Sequence, residues 1–477
     1  MTLATRPVSV ERRLLIIDGV TLAAAAVGLL LLLLGPVRRP LAGTFISVGW
    51  QHAWFFAAAV AALRHVWRSS PSILSSLRHW RAAIDARPAL ADALLAFWLT
   101  RPTVLVVGFL AVVTIGLSPH ASRTTGNPLD SLANRFDTGW YAGIAADGYE
   151  WQYRFDRQQN IAFFPAYPIL LRAVGFVTGA FQAGLPYERR IARLAWTGTL
   201  IAAAAFFCAC WYFSALAREL LDPPRASAAV LLLAAYPFSV FYSAAYTESL
   251  YLLAALGAWY HFRRHEWVIA AIWGLVAGLT RPNGFFLSLP LGLLALGVRE
   301  AARAPHSTVP RSTSPLIPMI VAFAPAAGML VYTTYLYWLT RVWFAWARMH
   351  GAWGRVLGST PELPDQMWSG GDGLVRSAIE HPYETMNSAG LLFAIGLTYA
   401  VFRRVGAPWA IFVLATILPP LAAGGVLSMG RLTSTLFPLF LALAAILPSR
   451  AALPCAGAFG VLQGLAAALF FTWRELY

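Results

Sequence analysis

Residues 134–168 read NRFDTGWYAGIAADGYEWQYRFDRQQNIAFFPAYP, and this stretch differs from the chain around it. It is too polar to cross a bilayer, yet it combines acidic, arginine and aromatic side chains and ends in an apolar segment that contains two prolines, 163–168. Long apolar runs lie on both sides of it. A polar, aromatic stretch between hydrophobic helices indicates a reaction site at a membrane surface, because functional residues concentrate in the loops that a rigid scaffold holds.

The composition is that of a membrane protein. Hydrophobic residues make up 58% of the chain and charged residues only 12%, whereas soluble domains carry about 25% charged residues. Apolar runs of roughly 15–25 residues recur along the chain, and about 20 residues are needed to cross the hydrocarbon core. The runs show no two-residue alternation, which favours helices over a barrel. The sequence therefore predicts an all-α polytopic membrane protein.

The charged residues exclude several classes of protein. The net charge is +15, but the arginines lie mostly at the ends of apolar runs, so nucleic acid is not a predicted partner. The chain has no lysine, which excludes a Walker-type phosphate loop and a lysine Schiff base. Metalloprotease, D-x-D and serine-hydrolase motifs are absent from the sequence, and the histidines are not spaced as metal ligands. We predict no cofactor and no metal.

The apolar runs and the positions of the arginines predict about 11–13 transmembrane helices with a cytoplasmic amino terminus. Residues 1–90 are expected to form an amino-terminal transmembrane hairpin, with spans near 14–34 and 44–66, and a basic cytoplasmic segment. Residues 91–477 are expected to form the catalytic transmembrane domain, in which 300–314 is a linker rich in Arg, Ser, Thr and Pro.

Two long loops, 118–190 and 341–388, are predicted on the extracytoplasmic side and are expected to carry juxtamembrane helices. The second loop contains aromatic, arginine and histidine residues, namely Trp343, Trp346, Arg348, His350, Trp353 and Arg355. Such residues suit sugar stacking and the binding of anionic groups. For any single tryptophan, the interfacial aromatic belt is the simpler interpretation.

Two apolar blocks are interrupted: 226–262 by Pro237 and by the polar sequence 246–249, and 266–298 by the polar sequence 281–284. Each block is too long for one span and barely long enough for two, because helices of ~15 residues cover only about 22 Å. Glu248 and Arg281 should therefore lie at membrane depth, where a charge costs several kcal/mol unless it is paired or faces water. Either they pair with each other and hold the two hairpins together, or they line a cavity for a phosphate-bearing lipid.

Asp137 is the outstanding carboxylate, flanked by Arg135, Trp140 and Tyr141. A general base acting on a hydroxyl needs a carboxylate held close to the proton in a partly water-excluded pocket. The aromatic rings could stack on a sugar or shield that pocket. Alternatively, Asp137 is the N-cap of a juxtamembrane helix. The chemistry alone does not decide between these interpretations.

Several motifs occur in a fixed order along the chain: DTGWYAGIAADGY at 137–149, NIAFFPAYP at 160–168, Tyr236-Pro237, YTES at 246–249, RPNG at 281–284, and Arg431 ahead of Phe437-Pro438. Together they resemble the PIG-V-type mannosyltransferases, which are the GPI mannosyltransferase 2 family and its bacterial relatives within the GT-C glycosyltransferases. The resemblance covers roughly residues 95–445. Phe136 stands where that family usually has Trp, and Pro282 where it commonly has Ser.

This resemblance implies a GT-C-like helical bundle that moves mannose, or another hexose, from a polyprenyl-phosphate-sugar donor to an acceptor hydroxyl, with inversion and on the extracytoplasmic face. By analogy, Asp137 is the catalytic base, and Arg281 and Arg431 bind the donor phosphate. The further substrate-binding candidates are Arg135, Trp140, Tyr141, Glu248, Asn283 and His350.

The expected partners are the lipid-linked donor, the bilayer, and an acceptor that is a glycolipid, a glycan or a protein. The expected location is the plasma membrane, as a multi-pass protein. A transporter or flippase of lipid-linked sugars is the alternative. The paired short hairpins at 226–298 hint at the matching broken helices of transporters, although residues 1–220 have no partner half.

Overall fold

The computed structural model describes residues 8–41, 44–67, 73–121, 126–298, 316–356 and 371–476. The predicted linker 300–314 lies outside these residues. Within them, the chain forms a bundle of α-helices with one small two-stranded sheet. The predicted class, an all-α polytopic membrane protein, is confirmed.

The elements follow in chain order. The α-helices are α1 Val8–Leu34, α2 Trp50–Trp67, α3 Ile73–Asp85, α4 Pro88–Thr114, α5 Pro128–Leu132, α6 Thr138–Asp147, α7 Ala166–Val177, α8 Tyr187–Leu220, α9 Pro223–Ala235, α10 Glu248–Arg263, α11 Trp267–Thr280, α12 Ser288–Ala295, α13 Leu316–Thr340, α14 Ala345–Met349, α15 Gly371–Glu380, α16 Pro382–Arg404, α17 Ala407–Gly424, α18 Met429–Ser434, α19 Phe437–Ile446 and α20 Ser449–Phe471. Short 3₁₀ helices occur at Asn160–Ala162, Pro237–Ser243, Pro282–Leu287 and His350–Trp353. The antiparallel strands are β1 Val37–Leu41 and β2 Thr44–Val48.

Among the described residues, seven helices are long and apolar enough to cross a bilayer: α1 from Arg12 onward, α4, α8, α13, α16, α17 and α20. The bent pair of α9 and the 3₁₀ helix after it makes a possible eighth span. The larger number expected from the sequence includes apolar helices such as α11, with 14 residues, and α19, with 10. At 1.5 Å per residue, helices of this length reach roughly 15–21 Å, which is short of the ~30 Å hydrocarbon core.

The amino-terminal hairpin is held by a buried ion pair. Arg64 Nε and Nη2 lie 2.8 Å and 3.1 Å from the two carboxylate oxygens of Asp18, and the Ser76 hydroxyl donates to Asp18 Oδ2 at 2.6 Å. The second span was expected to begin at residue 44, but β2 occupies 44–48 and α2 begins at Trp50. The start expected from the sequence is therefore wrong, because apolarity alone does not distinguish a short strand from helix. The division of the chain at residue 90 stays a prediction.

The first of the two apolar blocks is broken as the sequence predicts. The chain bends by 75° between α9 and the 3₁₀ helix that begins at Pro237, since proline has no N–H to continue the helical ladder. Arg101 of α4 and Gln463 of α20 each donate to the carbonyl of Ala234 at 2.9 Å, and Arg101 also donates to the carbonyl of Ser239 at 2.5 Å. These bonds satisfy carbonyls that the break leaves without helical partners and fix the segment that leads into α10.

The second block packs through glycines, because α11 and α13 approach each other closely at small residues. A Cβ on Gly278 would lie 1.8 Å from the carbonyl oxygen of Pro325, and one on Gly328 would lie 2.4 Å from that of Leu275.

We expect Gly278→Ala to lower the free energy of unfolding by about 1–3 kcal/mol, since the methyl group forces the helices apart. Thermal unfolding in detergent measures this. Gly396→Ala, where a Cβ meets nothing within 4 Å, is the control; equal melting temperatures for both variants would refute the contact.

Candidate functional site

Asp137 stands at the residue before α6, at the end of a strained turn. Phe136 adopts φ 45°, in the left-handed region that side chains rarely occupy, and its ring packs 4.6 Å from that of Trp473. The backbone N–H of Asp137 donates to the Tyr246 hydroxyl at 3.0 Å. Asp137 is therefore at the N-cap position, but its side chain forms no capping bond. Instead, its Oδ2 accepts from Arg431 Nη1 at 2.5 Å.

Arg431 lies in the short helix α18, which begins directly after a second strained residue, Ser428, with φ 60°. The backbone N–H of Ser428 donates to the Tyr383 hydroxyl at 2.9 Å, and that of Gly430 donates to Asn387 Oδ1 at 2.8 Å. Both partners are on α16, so α16 fixes the start of α18. Left-handed non-glycine residues next to Asp137 and near Arg431 are typical of functional sites, where the surrounding structure maintains backbone strain.

Glu248 joins these two residues to Arg281. Arg431 Nε bonds to Glu248 Oε1, and the same oxygen accepts from Arg281 Nη1 at 2.7 Å. Glu248 is fully buried at the first residue of α10, and Arg281 follows the last residue of α11. We name Asp137, Glu248, Arg281 and Arg431 the four-charge cluster. It contains two carboxylates and two guanidinium groups, so mutual pairing offsets the cost of burying them.

Aromatic rings surround the arginines of the cluster. The guanidinium carbon of Arg431 lies 4.5 Å from the ring centre of Tyr246 and 5.6 Å from that of Phe241, and Arg281 lies 5.8 Å from the ring of Tyr251. These distances allow cation–π attraction. The sequence analysis named Tyr246 only as part of the YTES motif, without a role, and did not name Tyr251. For Tyr251 the available signal was its spacing from Glu248, because it lies three residues further along the same helix face.

Three buried polar atoms of the cluster and its surroundings have no hydrogen-bond partner among the described residues: Glu248 Oε2, the Tyr251 hydroxyl and Asn283 Nδ2. An unsatisfied buried polar group costs about 1–3 kcal/mol, so each atom is available to a polar ligand. Asn283 is the third residue of the RPNG motif and lies two residues after Arg281. Among the residues that the structure describes, no three His, Cys, Asp or Glu side chains are grouped as a metal site.

Trp140 and Tyr141 extend the site along α6. The Trp140 ring stacks on Phe163 with 5.6 Å between ring centres and lies 5.9 Å from Trp353 of the second long loop. The two predicted loops therefore meet at this aromatic contact. The Tyr141 hydroxyl lies 3.4 Å from the hydroxyl of Thr247, next to Glu248. Burial raises the pKa of Tyr141 to about 12, so the phenol stays protonated at neutral pH.

His350 lies in the second loop, at the first residue of a 3₁₀ helix, with its ring centre 6.3 Å from that of Trp353. Its Nε2 atom is buried and has no hydrogen-bond partner among the described residues. Burial, and next the positive charge of Arg355, lower the pKa of His350 to about 4. The imidazole is therefore neutral at pH 7 and can accept or donate one hydrogen bond.

Arg135 is directed away from the four-charge cluster. Its guanidinium group is buried and donates to the carbonyls of Phe471 at 2.7 Å, Asn134 at 2.8 Å and Ser131 at 2.5 Å. These bonds tie the turn before Asp137 to α20. Because its guanidinium group bonds to backbone carbonyls, the geometry does not support the expected contact between Arg135 and a substrate. It favours a structural role for this side chain.

Comparison with known proteins gives one family. Residues 121–292 match the profile of the family described as mannosyltransferase (PIG-V), and this range includes Asp137, Glu248 and Arg281 but not Arg431. No curated protein gives a significant match. Two similar solved structures come from Archaeoglobus fulgidus: an oligosaccharyltransferase complex with zinc and sulfate, and the oligosaccharyltransferase AglB with an inhibitory peptide and a dolichol-phosphate.

The first structure is 15% identical with a TM-score of 0.37, and the match covers 78% of this chain and 53% of that one. The second is 14% identical with a TM-score of 0.38, and the match covers 79% and 56%. This chain thus spans about half the length of these structures. The resemblance that the motifs predict is confirmed by the family profile: residues 121–292 are similar to the PIG-V mannosyltransferases.

Proposed function

We propose that this protein is a membrane mannosyltransferase that moves mannose from a polyprenyl-phosphate-mannose donor to an acceptor hydroxyl. The reaction takes place on the extracytoplasmic face of the plasma membrane and inverts the anomeric centre. The observation that carries the proposal is the position of the Asp137 carboxylate, 2.5 Å from Arg431. Asp137 begins the most specific motif of the matched segment, and Arg431 connects it to Glu248 and Arg281.

The proposed step uses Asp137 as the general base. The acceptor oxygen attacks the anomeric carbon of mannose as the bond from that carbon to the phosphate oxygen breaks. The leaving phosphate keeps the electron pair of the broken bond, and the Asp137 carboxylate takes the proton of the acceptor hydroxyl. A single displacement inverts the anomeric centre. Guanidinium groups already placed beside the phosphate stabilise the charge that develops on it.

Arg431 has two partners that an incoming donor can replace. In the free protein its guanidinium group is shared between Asp137 and Glu248. A phosphate bound to Arg431 competes with Asp137 for the same N–H groups. The carboxylate released by this competition is then available as a base, so donor binding precedes activation of the acceptor in this proposal.

The remaining candidates have supporting roles. Glu248 Oε2 and Asn283 Nδ2 are available to sugar hydroxyls, Trp140 supplies a stacking surface, and Tyr141 and His350 supply neutral hydrogen-bonding groups. Arg135 acts indirectly, through the turn that holds Asp137. The Glu248–Arg281 pair also links α10 to α11, so the structural interpretation of this pair and the catalytic one are compatible.

One assay tests the proposed activity. The full chain is reconstituted in vesicles with radiolabelled polyprenyl-phosphate-mannose and an extract of candidate acceptors, and the products are separated by mass. A new mannosylated product that depends on the protein supports the transferase. Movement of the labelled lipid between leaflets without any new product would instead support the flippase, and the proposed function would be abandoned.

Arg431→Ala is expected to raise the donor KM about tenfold to a hundredfold, because a charge-assisted bond to phosphate contributes roughly 1.5–3 kcal/mol. Initial rates at varied donor concentration measure this. Arg225→Ala, which removes an exposed pair with Asp222, is the matched control and should leave KM unchanged. A wild-type KM for Arg431→Ala would remove Arg431 from the phosphate site.

A further inference from the structure

The four-charge cluster lacks the net positive charge that a phosphate requires. Arg281 and Arg431 are the arginines named for the donor phosphate, and each is bonded to a carboxylate of the cluster. Their charges are balanced by Asp137 and Glu248. A site that attracts an anionic lipid head group needs a cation beyond these four groups, because a neutral cluster gains little from an added negative charge.

Arg355 lies where it can supply this additional positive charge. It follows the 3₁₀ helix His350–Trp353 and Gly354, whose φ of 77° turns the chain so that the Arg355 N–H donates to the His350 carbonyl at 3.2 Å. Trp353, two residues earlier, packs on Trp140 of α6, the helix that begins beside Asp137. The loop that carries Arg355 is thus fixed against the Asp137 side of the site.

The Arg355 side chain reaches toward the Arg431 side. Its Nη2 donates to the carbonyl of Leu427 at 3.1 Å, in the turn that leads into α18, where Arg431 lies. A Cβ on Gly424 would lie 3.2 Å from Arg355 Cγ, so glycine at this position allows the close approach. Arg355 therefore bridges the second long loop and the turn before α18.

Arg355 forms no ion pair with any carboxylate of the described residues, although its side chain is largely buried. Burial lowers the pKa of Arg355 to about 10; Tyr383 opposes the shift, whereas the charges of Arg431 and then Arg281 add to it. The guanidinium group is therefore close enough to both arginines to be repelled by them. At pH 7 it is still charged, so, among the described residues, it is a cation at the cluster without a carboxylate partner.

We propose that Arg355 is the residue that recruits the donor phosphate. It supplies a positive charge that no carboxylate of the cluster balances, whereas the charges of Arg281 and Arg431 are balanced by Glu248 and Asp137. The ligand is a phosphate ester anchored in a lipid, held between Arg355 and Arg431 beside the neutral imidazole of His350. The identity of the lipid as the sugar donor rests on the proposed function. The phosphate contact itself does not.

The test measures binding to the full chain in detergent, with polyprenyl phosphate, neutral polyprenol and inorganic phosphate as probes. Arg355→Gln keeps a donor for the Leu427 carbonyl but removes the charge, and Arg355→Lys keeps the charge. The matched control is Arg348→Gln, which removes an exposed charge from the same loop. We expect Arg355→Gln to weaken polyprenyl phosphate binding about tenfold to a hundredfold, Arg355→Lys to restore part of it, and Arg348→Gln to change nothing.

The neutral probe separates a charge effect from a structural one. Polyprenol should bind the wild type and Arg355→Gln equally; an equal loss for both lipids would mean that Arg355 only shapes the loop and would overturn the proposal. Unchanged binding of polyprenyl phosphate by Arg355→Gln overturns it as well. Inorganic phosphate that binds as tightly as the lipid would refute the lipid ligand. A wild type that binds as expected but transfers no mannose would refute the proposed function and leave the phosphate contact standing.

Discussion

Asp137→Asn is expected to reduce mannose transfer by about 10²–10⁴-fold, which is the usual contribution of a general base. The amide keeps the shape of the carboxylate, and its oxygen can still accept from Arg431, but it cannot take the proton of the acceptor. Initial rates with radiolabelled donor measure the loss. The donor KM should not rise, because Asp137 is not a phosphate ligand, and it should fall to the extent that the Asp137 carboxylate competes with the phosphate for Arg431.

The control is Asp147→Asn, at the other end of α6, where the carboxylate accepts from the Tyr187 hydroxyl at 3.0 Å. This variant loses a carboxylate from the same helix and should transfer mannose at a wild-type rate. Asp147→Asn should unfold like the wild type, and Asp137→Asn should remain folded because Arg431 keeps Glu248 as a partner. Transfer by Asp137→Asn at the wild-type rate would eliminate the base assignment and, with it, the mechanism proposed above.

Glu248→Gln is expected to have the largest effect on stability. The substitution leaves two buried guanidinium groups, Arg281 and Arg431, without the carboxylate that they share. Breaking a buried ion pair by removing one partner costs about 3–5 kcal/mol. Unfolding of the purified protein in detergent, followed by heat or by denaturant, should show a loss of this size, together with a loss of transfer.

Glu219→Gln provides a matched control because Glu219 also accepts from two arginines, Arg263 at 2.6 Å and Arg264 at 3.2 Å. The Glu219 side chain is 31% exposed, whereas that of Glu248 is 0% exposed. Exposed pairs contribute about 0–1 kcal/mol, so Glu219→Gln should unfold almost like the wild type. If Glu248→Gln were equally stable but inactive, Glu248 would act on substrate alone, and the structural interpretation of its pair with Arg281 would be wrong.

Local sequence signals predicted part of this architecture. The two long apolar blocks, each interrupted by a polar sequence, predicted helices that break at Glu248 and Arg281, because helix length and the cost of buried charge are properties of short stretches. The same reasoning identified Asp137 and left its role as an N-cap open. The structure supports a third arrangement, with Asp137 at the cap position and its carboxylate bonded to Arg431.

Other features depended on tertiary contacts that no local pattern encodes. The bond between Asp137 and Arg431 joins residues 294 positions apart, and the bond that ties Arg135 to the Phe471 carbonyl spans 336. The sequence showed Arg355 only as one of several basic and aromatic residues of a loop. Its distinction from Arg348 comes from the turn at Gly354 and from the approach of Leu427, which are visible only in the folded chain.

The long separation between Asp137 and Arg431 has a consequence for biosynthesis. As the ribosome delivers the chain into the membrane, Glu248 and Arg281 emerge 33 residues apart and can neutralise each other early. Asp137 emerges before both, yet its counterion is made almost 300 residues after it. Until then, the incomplete chain carries the Asp137 carboxylate without the arginine that pairs with it. We therefore expect nascent chains that stop short of α18 to remain with the insertion machinery and to be degraded rapidly, even though most of their hydrophobic helices are complete.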